Sequence, residues 1–340
     1  MHTPLRIKNT PKCQPHPWHP SVIFVEEGWN GHKWWMAQTP FPPKDILPYR
    51  DRYELPCIHY SNDGRRWYPI HNNPIDNISE DMVNAHNYLS DPHLILHDGV
   101  MECYYRLTLL KNKQPIGNQT LLLRKKSTDG HHWSDREVIA DLRTPEDIAI
   151  WGEQIISPAI LWDGSQYRCW YVDRSGYLDH RRILMTTSTD GVTWNKYTVC
   201  TLPSSPTFDP WHIDVQYYDG LYQLIVFDEW NLRWFDSLDG VDFHYVSDIL
   251  SPSNYFMNYY SEGLYRACST KAGKEILVFF SAKNAQRTSI GLLKTIDRKR
   301  FIPVNGISQY EYFSKYIIPQ ISWKNTKRFV KHTLHKINIL

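Results

Sequence analysis

Ser61-Asn62-Asp63-Gly64-Arg65-Arg66-Trp67, Ser127-Thr128-Asp129-Gly130-His131-His132-Trp133 and Ser188-Thr189-Asp190-Gly191-Val192-Thr193-Trp194 are one pattern written three times. A fourth copy, Ser237-Leu238-Asp239-Gly240-Val241-Asp242-Phe243, ends in a different aromatic, and a degraded fifth, Thr295-Ile296-Asp297-Arg298-Lys299-Arg300-Phe301, lacks the glycine. The five aspartates are separated by 66, 61, 49 and 58 residues, the length of a four-stranded unit with its loops. Asp-Gly permits the positive φ angles of a tight hairpin, and the Ser or Thr hydroxyl can bond nearby backbone amides. The copies therefore predict hairpins between a third and a fourth strand. Their aspartates mark structural units, not chemistry.

A second pattern keeps the same phase. His19-Pro20-Ser21-Val22-Ile23, Asp91-Pro92-His93-Leu94-Ile95, Ser157-Pro158-Ala159-Ile160-Leu161, Ile213-Asp214-Val215-Gln216-Tyr217 and Glu262-Gly263-Leu264-Tyr265-Arg266 each open a short strand. Each is followed by a turn and a second apolar strand, as in Asp98-Gly99 before Glu102-Cys103-Tyr104-Tyr105. Two motifs in fivefold register predict an all-β chain: a five-bladed β-propeller with four-stranded blades over residues 1–310. A basic C-terminal extension, 311–340, follows it. There Lys324, Lys327, Arg328, Lys331 and Lys336 alternate with Phe329, Val330, Leu334 and Ile337 at helix-compatible spacing. Such a helix can lie on an anionic membrane or dock on the propeller, and the alternative is an unstructured tail.

The 340 residues carry 38 Lys and Arg against 36 Asp and Glu, so no global field steers the chain to nucleic acid. Fourteen Trp and 22 Tyr suit both strand packing and the flat apolar faces of sugars. Cys13, Cys57, Cys103, Cys169, Cys200 and Cys268 form no C-x-x-C pair, which leaves neither a zinc knuckle nor a redox motif. Residues 1–13 contain no apolar signal core, and the expected location is cytoplasmic, with virion-associated or membrane-peripheral placement as alternatives. No phosphate loop or nucleophile elbow is present. The proline-rich stretch from Thr39 to Pro56 interrupts the first blade, and long ordered loops tend to carry function.

In a propeller the first strand of every blade lines the central channel, so five residues far apart in sequence converge. Read from the strand openings, these are His19, Asp91, Ser157, Asp214 and Glu262. Like charges held together shift each other's pKa and are costly without a function. Asp-Pro-His-Leu-Ile at Asp91, His-Ile-Asp-Val at Asp214 and Glu-Gly at Glu262 resemble the motifs of family 43 glycoside hydrolases and their five-bladed relatives. That resemblance implies Asp91 as general base, Glu262 as general acid, Asp214 as the group orienting the acid, and His19 as an axial histidine beside a metal ion or water. It departs from the family in starting one blade early and in continuing Glu262 as Gly-Leu-Tyr. Blade 1 also resembles uncharacterised phage-tail and polysaccharide-locus proteins.

Read from the residues alone, Asp214 can instead bond His212 or Arg266, Glu262 can pair with Arg266, and His19 can be a satisfied core histidine. The substrate-binding candidates are His19, Trp18, Trp151, Trp211, His212 and Arg266, with Trp230, Tyr88 and Arg106 behind them. No cofactor is expected beyond an axial metal near His19, and the expected partner is a carbohydrate. The leading function is hydrolysis of a polysaccharide or oligosaccharide by an inverting two-carboxylate mechanism. The alternatives are a non-catalytic carbohydrate-binding propeller and a glycan transferase or phosphorylase.

Overall fold

A computed structural model describes residues 1–8, 16–41, 54–111, 114–174, 181–204, 208–228, 230–251, 258–284 and 287–318. Strands pair into five sheets in sequence order around an axis, antiparallel except for one added N-terminal strand, the predicted propeller. The innermost strands are Pro17–Trp29, Tyr88–His97, Ile156–Trp162, His212–Tyr218 and Gly263–Ala272. Cys13 and the basic segment 324–340 lie outside the described residues, as does most of the proline-rich insertion. Among the described residues no helix is long and apolar enough to cross a membrane.

All five Asp boxes sit between third and fourth strands, as in Cys57–Ser61 and Arg66–Pro69 of blade 1. The local chemistry is uniform. Ser127 Oγ accepts from Gly130 N at 2.8 Å, while Asp129 Oδ1 accepts from the amides of His131 and His132 at 2.7 and 2.8 Å. In the box without glycine, Arg298 itself takes φ 60°. The turn also locks one blade to the next. A side chain at Gly130 would overlap the Trp35 ring of blade 1 at 2.4 Å, so glycine serves close approach as well as the turn.

Five apolar clusters fill the five seams between blades. Trp35, Leu94 and Tyr105 join blades 1 and 2, and Trp151, Tyr171 and Trp194 lie in the next seam. Trp170 and Phe235 join blades 3 and 4, and Trp234 and Phe280 join blades 4 and 5. The last seam, between blades 5 and 1, holds Val22, Trp34, Phe279 and Leu292. It is further stitched by the N-terminal segment. Leu5 N donates to Ile290 O at 2.8 Å, and Arg6–Ile7 adds a parallel strand beside Arg66–Pro69. Cys57, Cys103, Cys169, Cys200 and Cys268 are buried, where a thiol acts as a small hydrophobe.

Candidate functional site

His19, Asp91 and Ser157 each adopt a left-handed backbone, with φ of 51°, 53° and 53°, and each precedes a proline. At each point the first strand carries one more residue than its partner, for example between Ser90/Arg106 and His93/Tyr104. Such a bulge re-aims the side chain, here toward the axis. Blade 5 repeats the bulge between Leu264 and Ala267 without a proline, and the residue it turns inward is Tyr265. Blade 4 runs straight, pairing His212 with Phe227.

The residues that meet are therefore His19, Asp91, Ser157, His212 and Tyr265. Asp91 Oδ2 accepts from Arg106 Nε at 2.6 Å and from Ser157 N at 3.2 Å. Its Oδ1 lies 3.8 Å from His19 Nε2 and 3.6 Å from His212 Nδ1. His19 Nδ1 is 2.7 Å from Thr39 Oγ1. Nδ1–H donating to that hydroxyl leaves the Nε2 lone pair facing Asp91. The Tyr265 ring lies 4.2 Å from the His212 ring, between centroids, and its hydroxyl accepts from Trp211 Nε1 at 2.7 Å. Trp18 stacks on the Tyr265 ring, 5.2 Å between centroids.

Asp91, His19 and His212 are 0%, 3% and 2% exposed. Burial favours the neutral carboxyl at Asp91, but the Arg106 guanidinium and the two histidines outweigh it and hold the group well below the usual carboxylate range. Burial drives His19 down to about 3 and His212 far below an ordinary histidine, despite Asp91. The centre thus offers one carboxylate and two neutral imidazoles. His19 Nε2, His212 Nδ1 and Asp91 Oδ1 are buried without a hydrogen-bond partner. One ligand atom from each lies within 4.8 Å of the others. Orphaned polar atoms of this kind are costly, and two imidazoles with a carboxylate are the donor set of Zn, Mn, Co or Fe. No spacing in the sequence reveals it, because the three ligands come from three blades.

Other expected positions differ. Asp214 lies one layer deeper, 0% exposed, accepting from Ser269 N at 3.0 Å, with His93 Nδ1 3.7 Å from its other oxygen. Burial raises its pKa to about 6. Arg266 is also fully buried, its Nη2 donating to Pro158 O at 3.4 Å. Glu262 does not join the cluster: it is exposed and precedes the strand by one residue, because the blade 5 bulge falls three residues later. Trp151 is not available to a sugar either. Helix Pro145–Trp151, capped by Thr144, delivers it into the core beside Trp194, 5.0 Å between ring centroids. A carboxylate that the strand pattern missed is Glu54, at the end of the proline-rich insertion. It is 6% exposed with φ 57°, and its charge acts on Arg106, Tyr88 and Tyr265.

No family model matches the sequence. The chain is 25% identical to the A type blood N-acetyl-α-D-galactosamine deacetylase of Flavonifractor plautii, over 78% of this chain and 40% of that protein. It spans about two fifths of that relative's length. A crystal structure of an N-acetylgalactosamine deacetylase from F. plautii, in complex with blood group B trisaccharide, superposes with a TM-score of 0.67. The match has 22% identity and covers 86% of this chain and 94% of that one. The fold is that of the five-bladed carbohydrate-active propellers. The GH43 protein BlXynB from Bacillus licheniformis shares it at a TM-score of 0.56 and 13% identity, over 87% of this chain and 56% of that one.

Proposed function

We propose that this propeller is a metal-dependent carbohydrate hydrolase in which His19, Asp91 and His212 hold a divalent cation. We further propose that the bond broken is the amide of an N-acetylated sugar. The observation that carries the reading is the convergence of three buried, unpartnered donor atoms at the axis. The sequence likeness to a deacetylase supports the choice of bond. A two-carboxylate glycosidase mechanism finds less support, because Asp214 lies in the deeper layer and Glu262 outside the cluster.

A cation in this donor set supplies Lewis acidity toward a carbonyl oxygen and lowers the pKa of water. The chain's own groups do the rest. Arg106 and Ser157 N hold Asp91 by one oxygen and leave the other for the centre, while the Thr39 hydroxyl holds the His19 ring by Nδ1. Burial pushes the Tyr265 phenol above its usual range, so it stays protonated and can donate to the substrate. Glu54, buried and with its charge acting on Arg106 and Tyr265, is the carboxylate we assign to proton exchange during hydrolysis. Water adds to the acetyl carbon, the C–N bond breaks, acetate leaves, and the sugar nitrogen gains a proton.

The test strips the protein with EDTA, restores Zn²⁺, Mn²⁺ or Co²⁺, and follows acetate and free amine from N-acetylgalactosamine-bearing oligosaccharides. Acetate release that requires the metal is the expected result. New reducing ends without acetate would instead assign a glycosidase. Neither product with any metal would leave the binding-module reading.

A further inference from the structure

Trp230 combines three properties found together nowhere else among the described residues. It is 61% exposed, it has a left-handed backbone with φ 74°, and its ring begins a ladder leading to the axial cluster. That ladder passes to Phe227 at 6.4 Å, from Phe227 to Tyr265 at 5.1 Å, and from Tyr265 to His212 at 4.2 Å. Leu238 and Ile296 are also exposed, at 82% and 73%, but they sit on Asp-box hairpins and lack the left-handed backbone. A tryptophan at positive φ is strained, and strained residues gather at functional sites.

The topology places the ring. Strand Leu221–Asp228 ends level with His212, through the pair His212–Phe227. The turn carrying Trp230 therefore rises on the face from which the cluster is reached. Blade 5 begins on the same face, and an added Cβ at Gly263 would lie 3.2 Å from the Trp230 ring. The exposed carboxylate Glu262 is the adjacent residue. An open indole face beside a carboxylate matches a pyranose, whose apolar face stacks on the ring while its hydroxyls donate to the acid.

We infer that Trp230, with Glu262 beside it, forms an outer sugar-binding subsite that holds a neighbouring unit of an oligosaccharide whose reacting sugar lies at the axial cluster. The inference rests on the carbohydrate reading above. It gives Glu262 a role in binding instead of proton donation, and it makes oligosaccharides better ligands than single sugars.

A glycan array displaying mono-, di- and trisaccharides, probed with wild type, Trp230→Ala, Trp230→Phe and Glu262→Gln, tests it. Trp230→Ala should weaken binding to the di- and trisaccharides about 2–10-fold and leave monosaccharide binding unchanged. Trp230→Phe should restore most of it, and Glu262→Gln should weaken the same ligands. Wild-type and Trp230→Ala protein binding oligosaccharides equally would overturn the subsite while leaving the carbohydrate reading intact. A wild type that binds no glycan would sink both. Light scattering completes the test: a dimer that Trp230→Ala converts to monomer would make the ring a contact between copies, against the subsite.

Discussion

Asp129 and Asp91 both stand in strand-end motifs that recur around the ring, and their surroundings differ at every point. Asp129 takes its hydrogen bonds from Ser127, His131 and His132, all within three residues, on the rim of the ring. Asp91 meets His19 of blade 1, Arg106 of its own blade, Ser157 of blade 3 and His212 of blade 4. The first is satisfied by local chain and says only where a turn is. The second keeps one oxygen unpartnered and brings four blades to a point. Repetition marks the scaffold; departure from it marks the axial cluster, where we propose the chemistry.

That contrast has measurable consequences. Asp91→Asn should have the largest effect, abolishing metal-dependent turnover and removing the buried carboxylate that Arg106 Nε bonds at 2.6 Å. Breaking a buried pair by one partner costs about 3–5 kcal/mol, readable as a lower denaturant midpoint. Native stability in this variant would break the contrast. Thr39→Val comes next. It removes the group that orients His19 and should weaken metal affinity about 10–100-fold, with the fold retained, as measured by calorimetric titration of Zn²⁺. Unchanged affinity would mean that His19 is not a ligand. Asp63→Ala should be mildest, losing about 1 kcal/mol of turn hydrogen bonding with kcat/KM unchanged. A rim variant with intact stability and lost activity would erase the distinction.

The same contrast explains what could be read in the chain. Five blades were legible because each Asp box is a local device and recurs with the blade. Three axial positions, His19, Asp91 and Ser157, were legible because proline follows each bulged residue. Blade 4 has no bulge, so its axial position at this level falls at His212, two residues before Asp214. Blade 5 makes the bulge with Tyr265-Arg266 and no proline, so the pattern pointed to Glu262. Glu54 belongs to no strand repeat and could be found only in space. Trp151 reads in sequence as a sugar-stacking candidate, but its capped helix carries it into the core.

The seam between blades 5 and 1 sets the order in which this ring is made. Thr3 Oγ1 donates to Ile307 O across 304 residues of chain, and Leu5 lies against the third strand of the last blade. At ribosomal speeds of about 5–20 residues per second, the two ends of that contact emerge roughly 15–60 s apart. Throughout that interval Val22 and Trp34 have no blade to cover them, and the nascent chain is an open arc with an oily edge. Closure waits for the last blade, and until then the uncovered apolar edge is exposed to aggregation.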